Sequence, residues 1–375
     1  MKLYTIIEGS AKTGLELQQS DGSMPSGQNG PWQDPQTAIR NTGHWLIQFA
    51  KAYEITNDER FLQATRDATS YLRSESARPY GFTFHHLNSN VRERCNGLVG
   101  QAWTIEALTV ASETLNEPGL LDFAEDIFLL HPFDEKVGLW RPVEIDGQVL
   151  WFDMTFNHQL WFAAIGALLQ SKLEKQSKIS HQVATFMDMI EDHLSVNSSG
   201  LIHHTMNSKF PLRKGIHLLY KHPNPPLRSI LNQINKSINS TSKGHSGRRI
   251  GYHSFNMYAF GLLYRVFPEH SFWKSADFRS TLSYISSIGY REDLEDNKYG
   301  YKYNPSGFEI AYTLQEFCMG SRATQERWVS VQLEKHHNFD RNLHDREAED
   351  PDTLAARMYE ATRLSNLSVN LTSKK

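Results

Sequence analysis

Residues 148–174, QVLWFDMTFNHQLWFAAIGALLQSKLE, carry the clearest indication of the architecture. They begin with a short alternating piece, QVLWFD, and continue past Asp153 into an apolar run that predicts a helix over 157–174. A polar loop therefore leads directly into an apolar helix. The same order recurs along the chain and organises the rest of the prediction.

A weak internal repeat supports this organisation. Loop pieces led by glycine and an apolar residue recur as GFTFHH at 81–86, GLWR at 138–141, GLIHH at 200–204 and GYKY at 300–303. Each is followed by a polar stretch and then by a new apolar helix. A period of about 60 residues fits one helical hairpin plus its loop, as in repeat architectures.

Apolar spacing and capping residues predict helices that pair into six antiparallel hairpins. The predicted helices cover residues 2–19, 37–53, 56–72, 97–115, 119–130, 157–174, 180–195, 254–266, 271–288, 308–319, 323–336 and 352–366. We expect one all-α domain over residues 1–375, an (α/α)6 toroid with short β pieces in loops at one mouth. An open helical solenoid is the alternative. The ring is favoured because both chain ends are predicted to be helical and can pair with each other.

Composition excludes several functional classes. The chain has 375 residues and a formal net charge of -3, which argues against a dedicated nucleic-acid-binding protein. No run of 18 to 20 apolar residues predicts a transmembrane helix, and the start shows no signal-peptide pattern. Cys95 and Cys318 form no metal or redox pair, so we expect no metal, no cofactor and a cytoplasmic location.

The segment 205–251 differs from the rest because it has nine Lys/Arg residues and no Asp or Glu. An apolar stripe within it consists of Leu227, Ile230, Leu231, Ile234 and Ile238. We predict a basic insertion or lid. A peripheral contact with the inner membrane face, an anionic ligand and simple disorder are the alternatives.

Asp153 is the leading catalytic candidate. Its apolar neighbours are expected to raise the carboxyl pKa, which suits a general acid, although a plain helix cap is the alternative. Trp151, Asn157 and His158 lie beside it in sequence and are candidate substrate-binding residues.

Two further clusters complete the predicted site. Trp32, Asp34, Arg40 and His44 combine an indole with directional hydrogen-bonding groups, and Asp34 is a second candidate carboxylate that could also simply cap a helix. His86, Arg94 and Asn96 could bind an acidic sugar, because arginine grips carboxylates bidentately, or could form loop salt bridges. The remaining candidate substrate-binding residues are Trp140, His253 and Asn256. Glu309 is an additional candidate acid.

The six-hairpin pattern and the motif Trp151–Asn157 resemble the six-hairpin glycosidases, especially the unsaturated glucuronyl and rhamnogalacturonyl hydrolases. That resemblance implies that Asp153 acts as general acid and base in hydrating an unsaturated uronide. The family has a second Asp about one hairpin earlier, where this chain has Asn96. The two-carboxylate arrangement is therefore incomplete unless Asp34 substitutes for the missing residue.

A weaker, whole-chain resemblance is to AglQ-type proteins of glycan-assembly clusters. The expected function is a carbohydrate-active enzyme that acts on a glycan, with uronic acid in the substrate, by general acid/base hydrolysis or hydration. A sugar isomerase or epimerase of glycan assembly is the first alternative, because histidines near the mouth can move protons near neutral pH. A non-catalytic glycan-binding protein is the second.

Overall fold

Helices supply nearly all the regular structure in the computed structural model, which describes residues 1–90, 92–206 and 243–371. The α-helices are α1 Leu3–Leu17, α2 Ile39–Thr56, α3 Glu59–Leu72, α4 Gly97–Leu115, α5 Gly119–Leu129, α6 Phe156–Gln170, α7 Lys178–Asp188, α8 Ile190–His193, α9 Lys243–Val266, α10 Ala276–Tyr284, α11 Ile288–Leu294, α12 Ser306–Glu316, α13 Arg322–His336 and α14 Pro351–Ala356. Short 3-10 helices cover Gly30–Trp32, Ser271–Lys274 and Arg357–Arg363. The predicted all-α class is confirmed.

The inner helices form a closed ring. Helix α2 packs on α4, α4 on α6, α6 on α9, and α9 on α12. Helix α12 then contacts the 3-10 helix Arg357–Arg363, which packs back on α2. Helices α1, α3, α5, α7 and α13 pack against this ring from outside. The arrangement is the predicted (α/α)6 toroid.

Burial distinguishes the inner helices from the outer ones. Along α4, apolar and polar residues alike are buried, including Leu98, Glu106 and Leu108, because the helix is covered on all sides. Outer helix α3 instead buries Phe61, Ala68 and other residues at helical spacing, as an amphipathic helix does. The described outer helices α3, α7 and α13 also begin with a side-chain cap that accepts a backbone N–H.

The two ends of the described chain close the ring through backbone pairing. The amide of Leu3 donates to the carbonyl of Leu367 at 3.0 Å, and the Met1 amino group donates to the carbonyl of Val369 at 3.0 Å. Leu367 and Val369 follow the last helix, whose predicted pairing with the first is seen instead in the contact of the 3-10 helix Arg357–Arg363 with α1. Its form differs from the prediction, because the predicted helix 352–366 is an α-helical turn followed by a 3-10 helix.

Short β pieces occur in the loops. Strands β1 Phe133–Asp134 and β2 Leu139–Trp140 form an antiparallel pair, and isolated bridges join Gln36 to Leu87 and Val143 to Val149. The GFTFHH piece itself contains no strand; only its neighbour Leu87 is bridged.

Several predicted helices differ from the structure in where they begin or in being broken. Helix α9 begins at Lys243 rather than at residue 254, so residues 243–251 of the predicted basic insertion belong to the ring. Residues 207–242 of that insertion, including its apolar stripe, lie outside the described residues. The predicted helix 271–288 is broken into a 3-10 turn and helix α10, with Ser275 capping the start of α10.

The inner helices α4, α6 and α12 begin at the same end of the ring, and a large cavity lies there. A second cavity of about 1170 Å³ lies at the opposite end, beside the last turns of α2, α4, α6 and α9. Within the described ranges, no helix has both the length and the apolar character needed to span a membrane.

Candidate active site

The cavity at the mouth has a volume of about 1370 Å³ and is lined by loops and first helical turns. Such a volume exceeds that of most small-ligand sites. Seven predicted site residues line it: Trp32, Arg94, Asn96, Trp151, Asp153, Asn157 and His158. Seven others do not: Asp34, Arg40, His44, His86, Trp140, His253 and Asn256.

A carboxylate–imidazole pair forms part of the wall. His158 Nδ1 lies 2.6 Å from Asp153 Oδ2, while Asp153 Oδ1 accepts a hydrogen bond from the backbone N–H of Thr155 at 3.0 Å. The side chains of Asp153 and His158 are 12% and 21% exposed. Because Nδ1 is occupied, Nε2 at the opposite edge of the ring is the nitrogen available to a molecule in the cavity.

The pKa of Asp153 is lowered, whereas the sequence predicted a raised pKa. Burial by itself raises the pKa of this carboxyl, but the charge and hydrogen bond of His158 and the hydrogen bonds of Thr155 outweigh burial, and the pKa is lowered. Aromatic neighbours suggested a raised value because the sequence does not reveal the contact with His158. An ionised Asp153 suits the orientation of an imidazole better than proton donation.

Gly97 packs directly against this pair. Its φ is +59°, a left-handed conformation that favours glycine. A Cβ at this position would lie 2.6 Å from Asp153 Oδ2 and 3.0 Å from His158 Nδ1. The start of α4 thus lies in close contact with the pair.

Glu144 organises the loop that carries Arg94 and Asn96. Its carboxylate accepts from the backbone N–H of Arg94 at 3.0 and 3.1 Å and from that of Ile145 at 3.1 Å. Arg94 Nε also lies 3.6 Å from Glu144 Oε1. The charge of Arg94 is therefore already balanced within the protein.

Asp34 is engaged in a similar way. It forms an ion pair and hydrogen bond with Arg92, a residue of the cavity lining, and Asn29 Nδ2 lies 3.5 Å from its Oδ2. Asp34 thus anchors the arginine and is not itself part of the cavity wall.

A second, aromatic wall faces the cavity. Arg248 of α9 lies over the ring of Trp32 at 4.2 Å, and Trp32 Nε1 donates to the hydroxyl of Tyr252 at 3.1 Å. The hydroxyl of Tyr303 donates to Asn29 Oδ1 at 2.8 Å. In the described part of the chain, Arg248 contacts the rings of Trp32 and Tyr299 but forms no ion pair with a carboxylate.

Three predicted substrate-binding residues lie beneath the cavity floor instead of on it. Arg40 stacks over the ring of Trp103 at 4.2 Å, and His44 stacks on Tyr359 with ring centroids 4.2 Å apart. His86 Nε2 lies 3.2 Å from Thr104 Oγ1. Burial lowers the pKa of His44 well below its ordinary value and that of His86 to about 3.

Three other predicted binding residues lie inside the ring packing. Trp140 packs among Phe128, Phe162 and other rings and donates to Gln182 Oε1 at 3.1 Å. His253 is buried, with Nε2 3.2 Å from the carbonyl of Thr281, and burial lowers its pKa to about 4. Asn256 is 3% exposed. Trp140 lies on strand β2 and the other two lie on α9, and neighbouring residues cover all three side chains. Their residue type in the sequence therefore does not indicate a position at the mouth.

A buried charge network lies behind the cavity at the closing 3-10 helix. Arg357 lies 3.0 Å from Glu309 Oε1 through Nη2, and its Nε lies 3.0 Å from Glu360 Oε1. The hydroxyl of Ser254 donates to Glu309 Oε2 at 2.6 Å. Burial, followed by the charge of Glu360, raises the pKa of Glu309 well above its ordinary value.

Sequence reasoning missed several cavity residues. The unpredicted ones include Trp103, Glu144, Tyr252, Tyr303, Asn304 and Arg357. Tyr252 is adjacent to the predicted His253 and Tyr303 ends the recurrent piece GYKY, so these two had a local signal, whereas Trp103 and Arg357 had none. Among the described residues, no group of three or more His, Cys, Asp or Glu side chains could hold a metal ion.

Comparison with known proteins identifies a relative over the whole length. The chain is 43% identical over 382 residues to "Archaeal glycosylation protein Q" of Haloferax volcanii, covering 98% of this chain and 99% of that one. No protein-family model matches the chain.

Solved structures share the fold at low identity. A cellobiose 2-epimerase of Bacillus thermoamylovorans has a TM-score of 0.61 at 11% identity, covering 93% of this chain and 94% of that chain. A sugar epimerase from a ruminal bacterium scores 0.62 at 11%, covering 96% and 97%. An inactive alpha-1,6-mannanase variant of Salegentibacter sp., in complex with alpha-1,6-mannotetrose, scores 0.61 at 12%, covering 96% and 98%. The six-hairpin fold predicted from the sequence is confirmed.

Proposed function

The chain belongs to the family of archaeal glycosylation protein Q, and from that premise we propose that it is a carbohydrate-active enzyme that acts on a glycan. The observation that supports this most directly is the contact of 2.6 Å between His158 Nδ1 and Asp153 Oδ2 in the wall of a cavity of about 1370 Å³. An imidazole oriented by a carboxylate is a common proton-transfer group.

We favour isomerisation or epimerisation of a sugar as the reaction. In this reaction, His158 Nε2 takes a proton from the carbon next to the carbonyl of an open-chain sugar, leaving an enediolate and an imidazolium. The imidazolium proton exchanges with solvent before it returns to the sugar. Its return to the former carbonyl carbon, while a proton passes from the neighbouring hydroxyl to the former carbonyl oxygen, gives the isomer. Its return to the first carbon, after that carbon has turned its other face to the imidazolium, gives the epimer. The carboxylate of Asp153 stabilises the imidazolium that forms in between.

Hydrolysis, or hydration of an unsaturated uronide, is less well supported by the geometry. Such a reaction needs a carboxylic acid that donates a proton. The pKa of Asp153 is lowered, Asp34 is paired with Arg92, and Asn96 stands where the resemblance implies a second carboxylate.

The proposed substrate is a glycan that contains a uronic acid. Arg94 and Arg92 are balanced by Glu144 and Asp34, whereas Arg248 lies in the cavity lining stacked on Trp32. We therefore assign the carboxylate of the uronic acid to Arg248 rather than to the arginines expected from the sequence. Arginine binds carboxylates through paired N–H groups.

The proposed location is the cytoplasm, with contact to the inner membrane face through the basic segment 205–251. Most of that segment, residues 207–242, lies outside the described residues. Six of its nine Lys and Arg residues fall within 207–242 and motivate the proposal, since anionic lipid surfaces attract clustered Lys and Arg.

The reaction is tested with four probes: cellobiose, D-mannose, D-glucuronic acid and an unsaturated uronyl disaccharide. In heavy water, an isomerase or epimerase incorporates deuterium at the reacting carbon, which NMR detects. Hydration of the disaccharide is followed by loss of absorbance of its conjugated double bond. His158→Asn is expected to lower turnover about 10²- to 10⁴-fold. Full turnover in this variant, or binding without turnover in the wild type, would contradict the proposal.

A further inference from the structure

We propose that Trp103 and Asn157 form a subsite in the cavity floor that binds two hydroxyl groups of the sugar ring presented to His158. This inference rests on the proposed function and extends it to the orientation of the substrate. Trp103 comes from α4 and Asn157 from the first turn of α6, and both line the cavity.

Both residues hold a buried polar atom without a partner. Trp103 Nε1 and Asn157 Oδ1 are each almost fully buried and form no hydrogen bond with any described protein group. The two residues are 5% and 2% exposed. Leaving a buried donor or acceptor unpaired costs free energy, so unpaired atoms in a cavity wall are expected to meet their partners in a bound molecule.

Trp103 is held firmly in place. The guanidinium of Arg40 lies 4.2 Å from its ring centroid, and the rings of His44 and His86 approach edge-on at 5.6 and 6.5 Å. Arg40 is itself fixed by Asn29, whose Oδ1 accepts from Nη1 at 3.0 Å. The indole N–H is therefore a donor whose direction is set before a ligand binds.

Asn157 is placed by the same turn that carries His158. The two residues are consecutive at the start of α6, so a sugar held by Asn157 lies close to the imidazole. The sugar ring that this subsite binds is therefore the ring that reacts at His158, and not a distant ring of the glycan.

The chemistry of the pair selects hydroxyl groups. Trp103 Nε1 can only donate, and Asn157 Oδ1 can only accept, whereas a hydroxyl can do both. An anionic group would be repelled by the amide oxygen. We assign this floor to the uncharged face of a sugar ring, opposite in character to the wall that carries Arg248.

The test separates binding from turnover by working in the His158→Asn background. Calorimetry measures the Kd of cellobiose, D-mannose and D-glucuronic acid for this protein and for versions that also carry Trp103→Phe or Asn157→Leu. Loss of one hydrogen bond is expected to weaken binding of the recognised sugar about 3- to 12-fold in each case. Trp328→Phe, the same change in a 5% exposed tryptophan of outer helix α13, should leave Kd unchanged.

An unchanged Kd in both Trp103→Phe and Asn157→Leu would overturn the subsite, and the proposed function would stand if His158→Asn still abolished turnover. Full turnover in His158→Asn would instead overturn the proposed function. If a floor variant fails to fold, monodeoxy forms of the recognised sugar test the same contacts in unmodified protein. Equal affinity of all monodeoxy forms would contradict the proposal, and loss with two of them would support it.

Discussion

Two acid–cation arrangements in this molecule use the same kinds of group to opposite effect. At the cavity wall, Asp153 faces His158 with one carboxylate against one imidazole. Inside the ring, Glu309 and Glu360 share the single guanidinium of Arg357. The pKa of Asp153 is lowered, whereas burial raises the pKa of Glu309.

The difference shows that two factors decide the role of a carboxyl group: the number of carboxyls that share one cation, and their exposure to solvent. Two ionised glutamates against one arginine would leave a buried negative charge, which is costly, so the inner pair is expected to retain a proton. The wall pair needs no such proton, because a backbone N–H and an imidazole satisfy its carboxylate. The buried network around Arg357 stabilises the ring, and the pair of Asp153 and His158 is available for chemistry.

Removing the charge at the wall should have the largest effect. Asp153→Asn keeps the shape of the side chain but cannot stabilise an imidazolium, so kcat is expected to fall about 10³- to 10⁴-fold. Deuterium incorporation into the sugar measures the loss. Asp188→Asn is the matched control, because Asp188 lies 3.2 Å from His270 in an exposed pair on the outer surface. Equal losses in both variants would show that the wall pair has no special role.

Removing the cation inside the ring should mainly affect stability. Arg357→Met leaves two buried carboxyls without their partner, and the free energy of unfolding in urea is expected to fall by about 3–5 kcal/mol. Adding Glu309→Gln and Glu360→Gln should recover part of this loss. Arg60→Met, which breaks an exposed pair with Asp58, should leave the unfolding curve nearly unchanged. A small change in Arg357→Met would mean that the network does not stabilise ring closure.

A methyl group added at Gly97, beside Asp153 and His158, should have an intermediate effect on turnover and stability. Gly97→Ala forces a left-handed residue to carry a Cβ, which costs about 1–2 kcal/mol of unfolding free energy, and pushes against Asp153 Oδ2. Turnover should therefore fall together with stability. Gly119→Ala is the control, because no atom lies within 4 Å of the added Cβ. Unchanged turnover in Gly97→Ala would show that the pair tolerates displacement.

The pH dependence of stability should show the smallest effect, with opposite signs for the two arrangements. The raised pKa of Glu309 means that its contribution is present below the ordinary value of 4.5 and is lost as pH rises through the folded pKa. The lowered pKa of Asp153 means that its contribution is present above 3.8 and is lost as pH falls. Urea unfolding from pH 3 to 8 measures both. Glu309→Gln should reduce the loss of unfolding free energy as pH rises, and Asp153→Asn should reduce the loss as pH falls. Variant curves that run parallel to the wild-type curve would contradict these assignments.

The sequence was sufficient to predict the ring but not the arrangement of side chains around its mouth. The helix predicted over 97–115 has those bounds in the structure, because its apolar run is long and Asn116 ends it in a left-handed conformation. The predicted start of helix α9 was about three turns too late, because the Gly, His and Arg residues of those turns give no apolar helical pattern.

Side-chain placement failed where inner helices are buried on every face. His44 and His253 lie on such helices, and His86 lies in the loop before α4; all three were predicted at the cavity from their polarity, yet all three are buried. Trp103 was not among the predicted site residues, because nothing in the apolar helix 97–115 distinguishes it from a core residue. Only the ring geometry, set by contacts between distant segments, determines which residues of a covered helix reach the cavity.

The common direction of the inner helices gives the barrel an electrical polarity. Helices α4, α6 and α12 begin at the large cavity, so their positive dipole ends converge there, while negative ends surround the second cavity of about 1170 Å³. The two cavities are similar in volume, but the helix dipoles give them electrostatic potentials of opposite sign. Anions are therefore drawn toward the mouth that carries His158, and the direction of the chain, more than any single loop, distinguishes the two faces.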